Sequence, residues 1–254
     1  MKKLLAVGYI IFLIMEVSGQ YVDTKQLSDA GVDIPPQDLL GFGIGNGDLA
    51  LIKSAIAKGA DLNKELQAGS YTLPLVSAIT QAANAMLPDE ESIIASQIRD
   101  YGSEVYSGRT VKELRRDYIE IIRFLLQNGA KPNVSTDYSY GGIPLLRAAD
   151  YRDIEIISLL LEFKADPNSK DEFGNTALSQ LGRVAYGFSW PYKNTTGIAK
   201  LLISKGVKVT PDLIKIAKES IYVFEAPDSP WRNFPFYNEL IINLKSLIDL
   251  YSKL

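Results

Sequence analysis

Cysteine and histidine are both absent from this sequence of 254 residues. Without cysteine, the chain can form no disulfide bond and offers no thiolate to attack a substrate or to bind a metal. Without histidine, it lacks the usual base of serine and cysteine hydrolases and a common ligand of zinc. An enzyme built from this sequence would have to work with carboxylates, lysine or tyrosine. We therefore expect no metal and no cofactor.

A large excess of one charge is also lacking. The chain has 27 Lys and Arg residues against 30 Asp and Glu residues, which gives a formal net charge of −3. This balance provides no broad basic field that would attract nucleic acid or an anionic membrane surface. Nucleic acid is therefore not expected as a partner, and the oligomeric state stays open.

Long apolar runs are restricted to the N-terminus. The run from Leu4 to Met15 follows two lysines, and small residues between Val17 and Gly19 precede Gln20. This layout is typical of a secretory signal peptide, residues 1–19, that is cleaved before Gln20. The alternative is an uncleaved anchor, although the run is short for a hydrocarbon core of about 30 Å. We expect an exported chain, periplasmic or secreted, with no stable membrane insertion after cleavage.

A short phrase recurs along the rest of the chain, each time after an apolar helical pattern. Its copies are GADLN at 59–63, GAKPN at 129–133, KADPN at 164–168 and, more faintly, GVKVT at 206–210. The preceding apolar residues recur at three and four positions, which indicates one buried helical stripe. The first glycine stands where helices commonly end in the left-handed region. Lys164, which replaces it, predicts a helix end that is either strained or differently built.

A second phrase occupies an equivalent place in three segments. Its copies are LPLVSA at 73–78, IPLLRA at 143–148 and TALSQL at 176–181, and Leu145 and Leu178 lie 33 residues apart. A period near 33 residues, with a turn and two helices per unit, resembles the ankyrin repeat. The segment DEFGNTAL at 171–178 is similar to the family's Asp-x-x-Gly-x-Thr-Pro-Leu.

This resemblance implies an all-α fold, an ankyrin-repeat solenoid of about five helix-turn-helix units with insertions between paired helices. A linker at 20–36 would precede the repeat domain at 37–254. The expected repeats are 37–63, 70–133 with an insertion, 140–168, 174–210 and a C-terminal cap at 211–254. The histidine that the family commonly carries after Thr-Pro-Leu is replaced here by Val76, Leu146 and Ser179. Stacking should therefore depend more on apolar contacts between neighbouring repeats.

The stretch LLGFGIGNGD at 39–48 carries glycine at every second position from Gly41 to Gly47. A dinucleotide-binding loop would need a strand just before it, whereas the preceding VDIPP does not form a central strand. Asp61 lies at the distance expected for a ribose-binding acid, but it is better explained as a turn residue. We interpret the glycines as allowing close helix packing in a first, capping repeat.

The three insertions, all between paired helices, are rich in aromatic residues. One hypothesis is an aromatic ledge that binds a ligand or a glycan, and the alternative is a satellite core beneath long loops. The candidate ledge residues are Tyr186, Phe188, Trp190, Tyr192, Phe224, Trp231 and Phe234.

The leading functional interpretation is a non-catalytic binding module that holds a protein partner. The resemblance implies docking on the concave face, which hairpin tips and inner helices form. The matching positions are Tyr71, Tyr138, Tyr140, Arg147, Phe173, Asn175 and Gln180. A third hypothesis is a hydrolase that pairs carboxylates such as Asp89, Glu90 or Glu104 with Glu225 or Asp228. No spacing in the sequence requires that chemistry.

Overall fold

The protein is described here by a computed structural model that covers residues 33–66, 72–85, 109–134, 142–183, 194–229 and 237–254. These ranges contain ten α-helices and no strand. None of the helices in them is both long and apolar enough to cross a membrane. The chain divides into two compact units, Met1–Lys131 and Pro132–Leu254, and each is described by itself.

The first unit contains two helix pairs. Helices α1 (Pro36–Gly45) and α2 (Leu49–Ala57) form the first pair, and α3 (Pro74–Asn84) and α4 (Val111–Gln127) form the second. The inner helices α1 and α3 also pack against each other. The buried core includes Leu40, Ile52, Ile79 and Ile121, each of which is fully inaccessible to solvent.

The second unit contains three helix pairs. They are α5 (Pro144–Asp150) with α6 (Ile154–Glu162), α7 (Ala177–Gly182) with α8 (Thr195–Ser204), and α9 (Pro211–Glu225) with α10 (Tyr237–Ser252). The inner helices α5, α7 and α9 pack side by side, and so do the outer helices α6, α8 and α10. This arrangement places one face of every inner helix in line with its neighbours.

The helix starts follow from local sequence chemistry. Proline occupies the first turn of α1, α3, α5 and α9, where its missing N–H removes no intrahelical hydrogen bond. A capping box starts α4, because the Thr110 hydroxyl accepts from Glu113 N and Glu113 Oε2 accepts from Thr110 N. Hydrogen bonds from the Thr110 backbone and hydroxyl lower the pKa of Glu113.

The helix ends confirm the prediction drawn from the recurring glycine. Gly59, Gly129 and Gly206 have φ values of 95°, 99° and 89°, a region that glycine enters without steric penalty. Lys164 takes the same place after α6 with a φ of 65°. A side chain in the left-handed region meets its own backbone, so this helix end is strained, the first of the two predicted possibilities.

Replacing Lys164 with glycine is expected to raise the free energy of unfolding by about 1 kcal/mol, because the left-handed penalty of a side chain is removed. The Lys164 carbonyl, which accepts from Asn133 Nδ2 at 3.0 Å, is retained in the variant. Thermal unfolding followed by circular dichroism measures the change. Gly129→Lys is the reverse control and should lower the free energy of unfolding by a similar amount, about 1 kcal/mol. Equal stability of wild type and Lys164→Gly would contradict the strain.

A ladder of side-chain amides joins neighbouring turns within each unit. Asn63 accepts from Lys131 N at 2.8 Å and donates to Gly129 O at 3.0 Å. Asn133 repeats the pattern with Asp166 N at 2.7 Å and Lys164 O at 3.0 Å. Gln37, in the first turn of α1, likewise accepts from Asp61 N and donates to Asp61 O. The asparagine of the recurring phrase therefore positions the next turn, a role that the sequence interpretation did not assign.

The three residues at the family's histidine position are buried. Val76 and Leu146 are 1% and 6% exposed, in agreement with the expected apolar stacking. Ser179 is 5% exposed and forms a capping box with Thr176 at the start of α7. Its hydroxyl is therefore used within its own turn.

Candidate functional site

The hairpin turn before α7 holds an aromatic side chain in solvent. One oxygen of Asp171, Oδ1, accepts from Phe173 N at 2.9 Å and from Asn175 N at 2.8 Å, and the other accepts from Asn175 Nδ2 at 2.7 Å. Gly174 completes the turn with a φ of 77°. Phe173, at the tip, is 69% exposed. The turn is therefore rigid, and its one aromatic ring is available for contact.

The inner helices of the second unit expose few side chains. Of the six residues of α7, only Gln180 is not buried. In α5, only Arg147 and Asp150 are not buried. Arg147 and Gln180 stand at equivalent positions of the second phrase, and their helices pack side by side. The accessible face of these two helices is therefore small and polar.

Arg147 occupies an unusual environment on this face. Its Nη1 lies 3.8 Å from Asp150 Oδ2, too far for a hydrogen bond, and its guanidinium carbon lies 5.7 Å from the centroid of the Tyr151 ring. Its Nε is buried without a hydrogen-bond partner. Burial raises the pKa of Asp150, an effect that the charges of Arg147 and Arg152 oppose. The ring and the carboxylate hold the guanidinium in place without using its donors.

Four of the seven predicted partner-binding positions lie among the described residues. Arg147, Phe173, Asn175 and Gln180 all lie in the second unit, on α5, on α7 and in the turn before α7. The side-chain amide of Asn175 donates a hydrogen bond to Asp171 within the turn, so its first role is to shape the tip. Tyr71, Tyr138 and Tyr140 lie outside the described residues.

The core alternative, and not the aromatic ledge, agrees with the one candidate ledge residue that the structure describes. Phe224 is 7% exposed and belongs to a core cluster with Ala217, Leu240 and Leu244. It faces α10 because it falls on the apolar stripe of α9, so it behaves as the core alternative predicts. Six further members lie outside the described residues: Tyr186, Phe188, Trp190, Tyr192, Trp231 and Phe234.

The carboxylates proposed for hydrolysis gain no support from the geometry. Glu225 forms an exposed ion pair with Lys245 at 2.9 Å, and Asp89, Glu90 and Glu104 lie outside the described residues. Within the part of the chain that the structure covers, no group of acidic residues is arranged to hold a metal ion.

The first unit contains a polar cavity of about 300 Å³ beside the turn that follows α1. Arg109 lines it and donates to Asn46 O, to Gly47 O at 3.0 Å and to Asp117 Oδ2 at 3.1 Å. Tyr118, 1% exposed, donates from its hydroxyl to Gly45 O at 2.9 Å. The sequence interpretation missed both residues, and no local pattern marks either one. They fasten the first pair to the second, so their role is structural.

Comparison with known proteins supports the resemblance to the ankyrin-repeat family. The sequence model of the family described as Ankyrin repeats (3 copies) matches residues 111–212. An ankyrin repeat protein of Acanthamoeba polyphaga mimivirus is 42% identical over 130 residues, which cover 50% of this chain and 20% of that protein. The chain thus spans about a fifth of the length of this curated relative.

The predicted fold class, an all-α ankyrin-repeat solenoid, is confirmed. The family match runs from the start of α4 into the start of α9, and the described residues form paired helices without a strand. Ankyrin repeats generally mediate contacts between proteins. The arrangement of a rigid tip beside a polar inner face is compatible with such contacts.

Proposed function

We propose that this chain is an exported, non-catalytic ankyrin-repeat module that binds a protein partner through its concave face, the face of hairpin tips and inner helices. The observation that carries the proposal is the exposure of Phe173 on a turn fixed by Asp171. An aromatic ring on a rigid support contributes contact area at little entropic cost. Aromatic residues are enriched among those that dominate binding energy at protein interfaces.

The polar inner face complements the tip. Interfaces commonly surround an aromatic anchor with polar groups that exclude water and set orientation. Arg147 and Gln180 supply such groups on adjacent helices. The module would therefore act by presenting a preformed surface, and it needs no reacting group.

The proposal is tested by capture of the partner with a matched pair of variants. The chain from Gln20 onward is immobilised and exposed to the extracytoplasmic fraction of its own organism. Phe173→Ala should weaken capture roughly tenfold, since a buried aromatic anchor is lost. Tyr222→Ala removes an aromatic ring that is 80% exposed in the last turn of α9 and does not belong to a hairpin turn, and capture should be retained.

Two outcomes would count against this function. Equal capture by wild type and both variants would place the contact elsewhere, and equal loss in both variants would indicate non-specific adhesion of exposed rings. The N-terminus of the natural chain tests export separately. A chain that begins at Gln20 supports export, whereas a chain that retains residues 1–19 outside a secretory fraction contradicts it.

A further inference from the structure

The described arginines with buried or half-buried side chains differ in how their donors are used. Arg109 donates to two carbonyls and a carboxylate, and Arg152 donates to Asp150 O at 2.9 Å and Arg183 O at 2.7 Å. Arg115 donates to Ala82 O at 3.2 Å. These guanidinium groups fasten one part of the fold to another.

Arg147 makes no comparable hydrogen bond. Its Nη1 lies 3.8 Å from Asp150 Oδ2, and its guanidinium carbon lies 5.7 Å from the centroid of the Tyr151 ring. The side chain is 20% exposed, on the face where α5 and α7 present only Arg147, Asp150 and Gln180. A guanidinium that is positioned but not hydrogen-bonded retains donors for a ligand.

We propose that Arg147 anchors a carboxylate of the protein partner, so that the bound segment carries an Asp or Glu side chain at this point. The inference rests on the proposed function, because it assumes that a protein segment lies along the inner helices. A planar guanidinium matches a carboxylate with two parallel hydrogen bonds, and charge-assisted bonds of this kind are stronger than neutral ones. Gln180, one repeat further on, offers an amide beside it.

The charge of the site selects a carboxylate over a phosphate. A phosphorylated residue carries nearly two negative charges and is usually bound by a cluster of arginines. Here Asp150 lies beside Arg147, and the neighbouring Arg152 uses its donors on two backbone carbonyls. Only one guanidinium therefore has unused terminal nitrogens at this point, which suits a monoanion.

The test follows the Nε–Hε nuclear magnetic resonance signal of Arg147 in the isotope-labelled full chain. The signal is assigned by its loss in Arg147→Lys. N-acetyl-tetraglutamate is the probe, and N-acetyl-tetraglutamine is its neutral counterpart. We expect a saturable shift of the Arg147 signal with the glutamate peptide and none with the glutamine peptide. Arg147→Gln should weaken binding of the glutamate peptide roughly tenfold.

Arg116→Gln is the matched control. Arg116 is 69% exposed on the outer helix α4, so its loss removes the same charge without touching the inner face, and affinity should stay within about twofold. The inference is overturned if the Arg147 signal does not move, or if Arg116→Gln weakens binding as much as Arg147→Gln does. A phosphoserine peptide that binds more tightly than tetraglutamate would also overturn it.

The outcome is separable from that of the proposed function. If a partner is captured through Phe173 while Arg147 does not respond to the probe, only the carboxylate anchor fails. If Arg147 binds the glutamate peptide while no partner depends on Phe173, the binding face proposed for a protein fails.

Discussion

Replacing Arg109 with alanine is expected to lower the free energy of unfolding by about 3 kcal/mol. Arg109 stands just before α4, yet its guanidinium reaches the turn after α1, where it donates to the carbonyls of Asn46 and Gly47. It also pairs with Asp117 at 3.1 Å. Hydrogen bonds to charged groups contribute about 1.5 to 3 kcal/mol each, and the total is smaller here because 27% of the side chain is exposed to solvent.

The position of these carbonyls adds to the effect. The C-terminal end of a helix carries unpaired carbonyls and a partial negative charge, which a cation stabilises. Tyr118 caps Gly45 O at the same helix end, at 2.9 Å. In the alanine variant two carbonyls and the carboxylate of Asp117 lose a donor together, so the first helix pair loosens from the second.

Urea unfolding followed by circular dichroism measures the change, with two control variants. Arg116→Ala removes a charge that is 69% exposed and that contacts Asp117 at 3.4 Å, and it should change the free energy of unfolding by no more than about 0.5 kcal/mol. Arg109→Lys keeps the charge but loses the planar guanidinium with its several donors, so its free energy of unfolding should fall between those of wild type and Arg109→Ala. Equal effects of Arg109→Ala and Arg116→Ala would show that only net charge matters.

The parts of the fold that were predictable are those with a local cause. The recurring glycine predicted the helix ends, and the structure confirms this. Helix starts likewise have a local cause, either a proline in the first turn or the Thr110–Glu113 capping box. The unfavourable backbone conformation of Lys164 could also be predicted, because Lys164 occupies the position of the recurring glycine, which adopts a positive φ. Helix-capping interactions join residues only a few positions apart, so every residue involved can be identified from the local sequence.

The parts that were not predictable depend on partners distant in sequence. Arg109 and Gly47 are 62 positions apart, and no periodic pattern joins them. At the candidate site, Phe173 was predicted as a contact and its exposure agrees, but the unused donors of Arg147 arise from packing on Tyr151 and Asp150. The sequence left Phe224 open between a surface ledge and a core, because an aromatic residue next to an insertion fits both equally well.

The second prediction concerns the glycine-rich stretch, where replacing one glycine with alanine should destabilise the fold and replacing a nearby glycine should not. Helix α1 carries Gly41 and Gly43 two positions apart, so they point to different surroundings. A Cβ atom added at Gly43 would lie 2.8 Å from Ile52 Cγ1 and 3.0 Å from Ile52 N. A Cβ atom at Gly41 would lie 3.8 Å from Leu66 Cδ2, an ordinary contact.

Gly43→Ala should therefore lower the free energy of unfolding by about 2 kcal/mol. Overpacking costs up to about 3 kcal/mol when rigid atoms must move, and the better helix propensity of alanine returns about 1 kcal/mol. The backbone of Ile52 is the rigid neighbour, since it lies in α2. Gly41→Ala gains the propensity without the clash and should raise the free energy of unfolding by about 0.5 to 1 kcal/mol.

The opposite signs of these two variants test whether close packing is what the stretch requires. If close packing did not matter, both alanine variants would gain helix propensity and shift the free energy of unfolding in the same direction. Urea unfolding of the two variants side by side distinguishes the cases, because helix propensity is common to both and cancels in the comparison. A loss of stability at Gly43 alone places the requirement on the close approach of α1 to α2, where the sequence interpretation expected it.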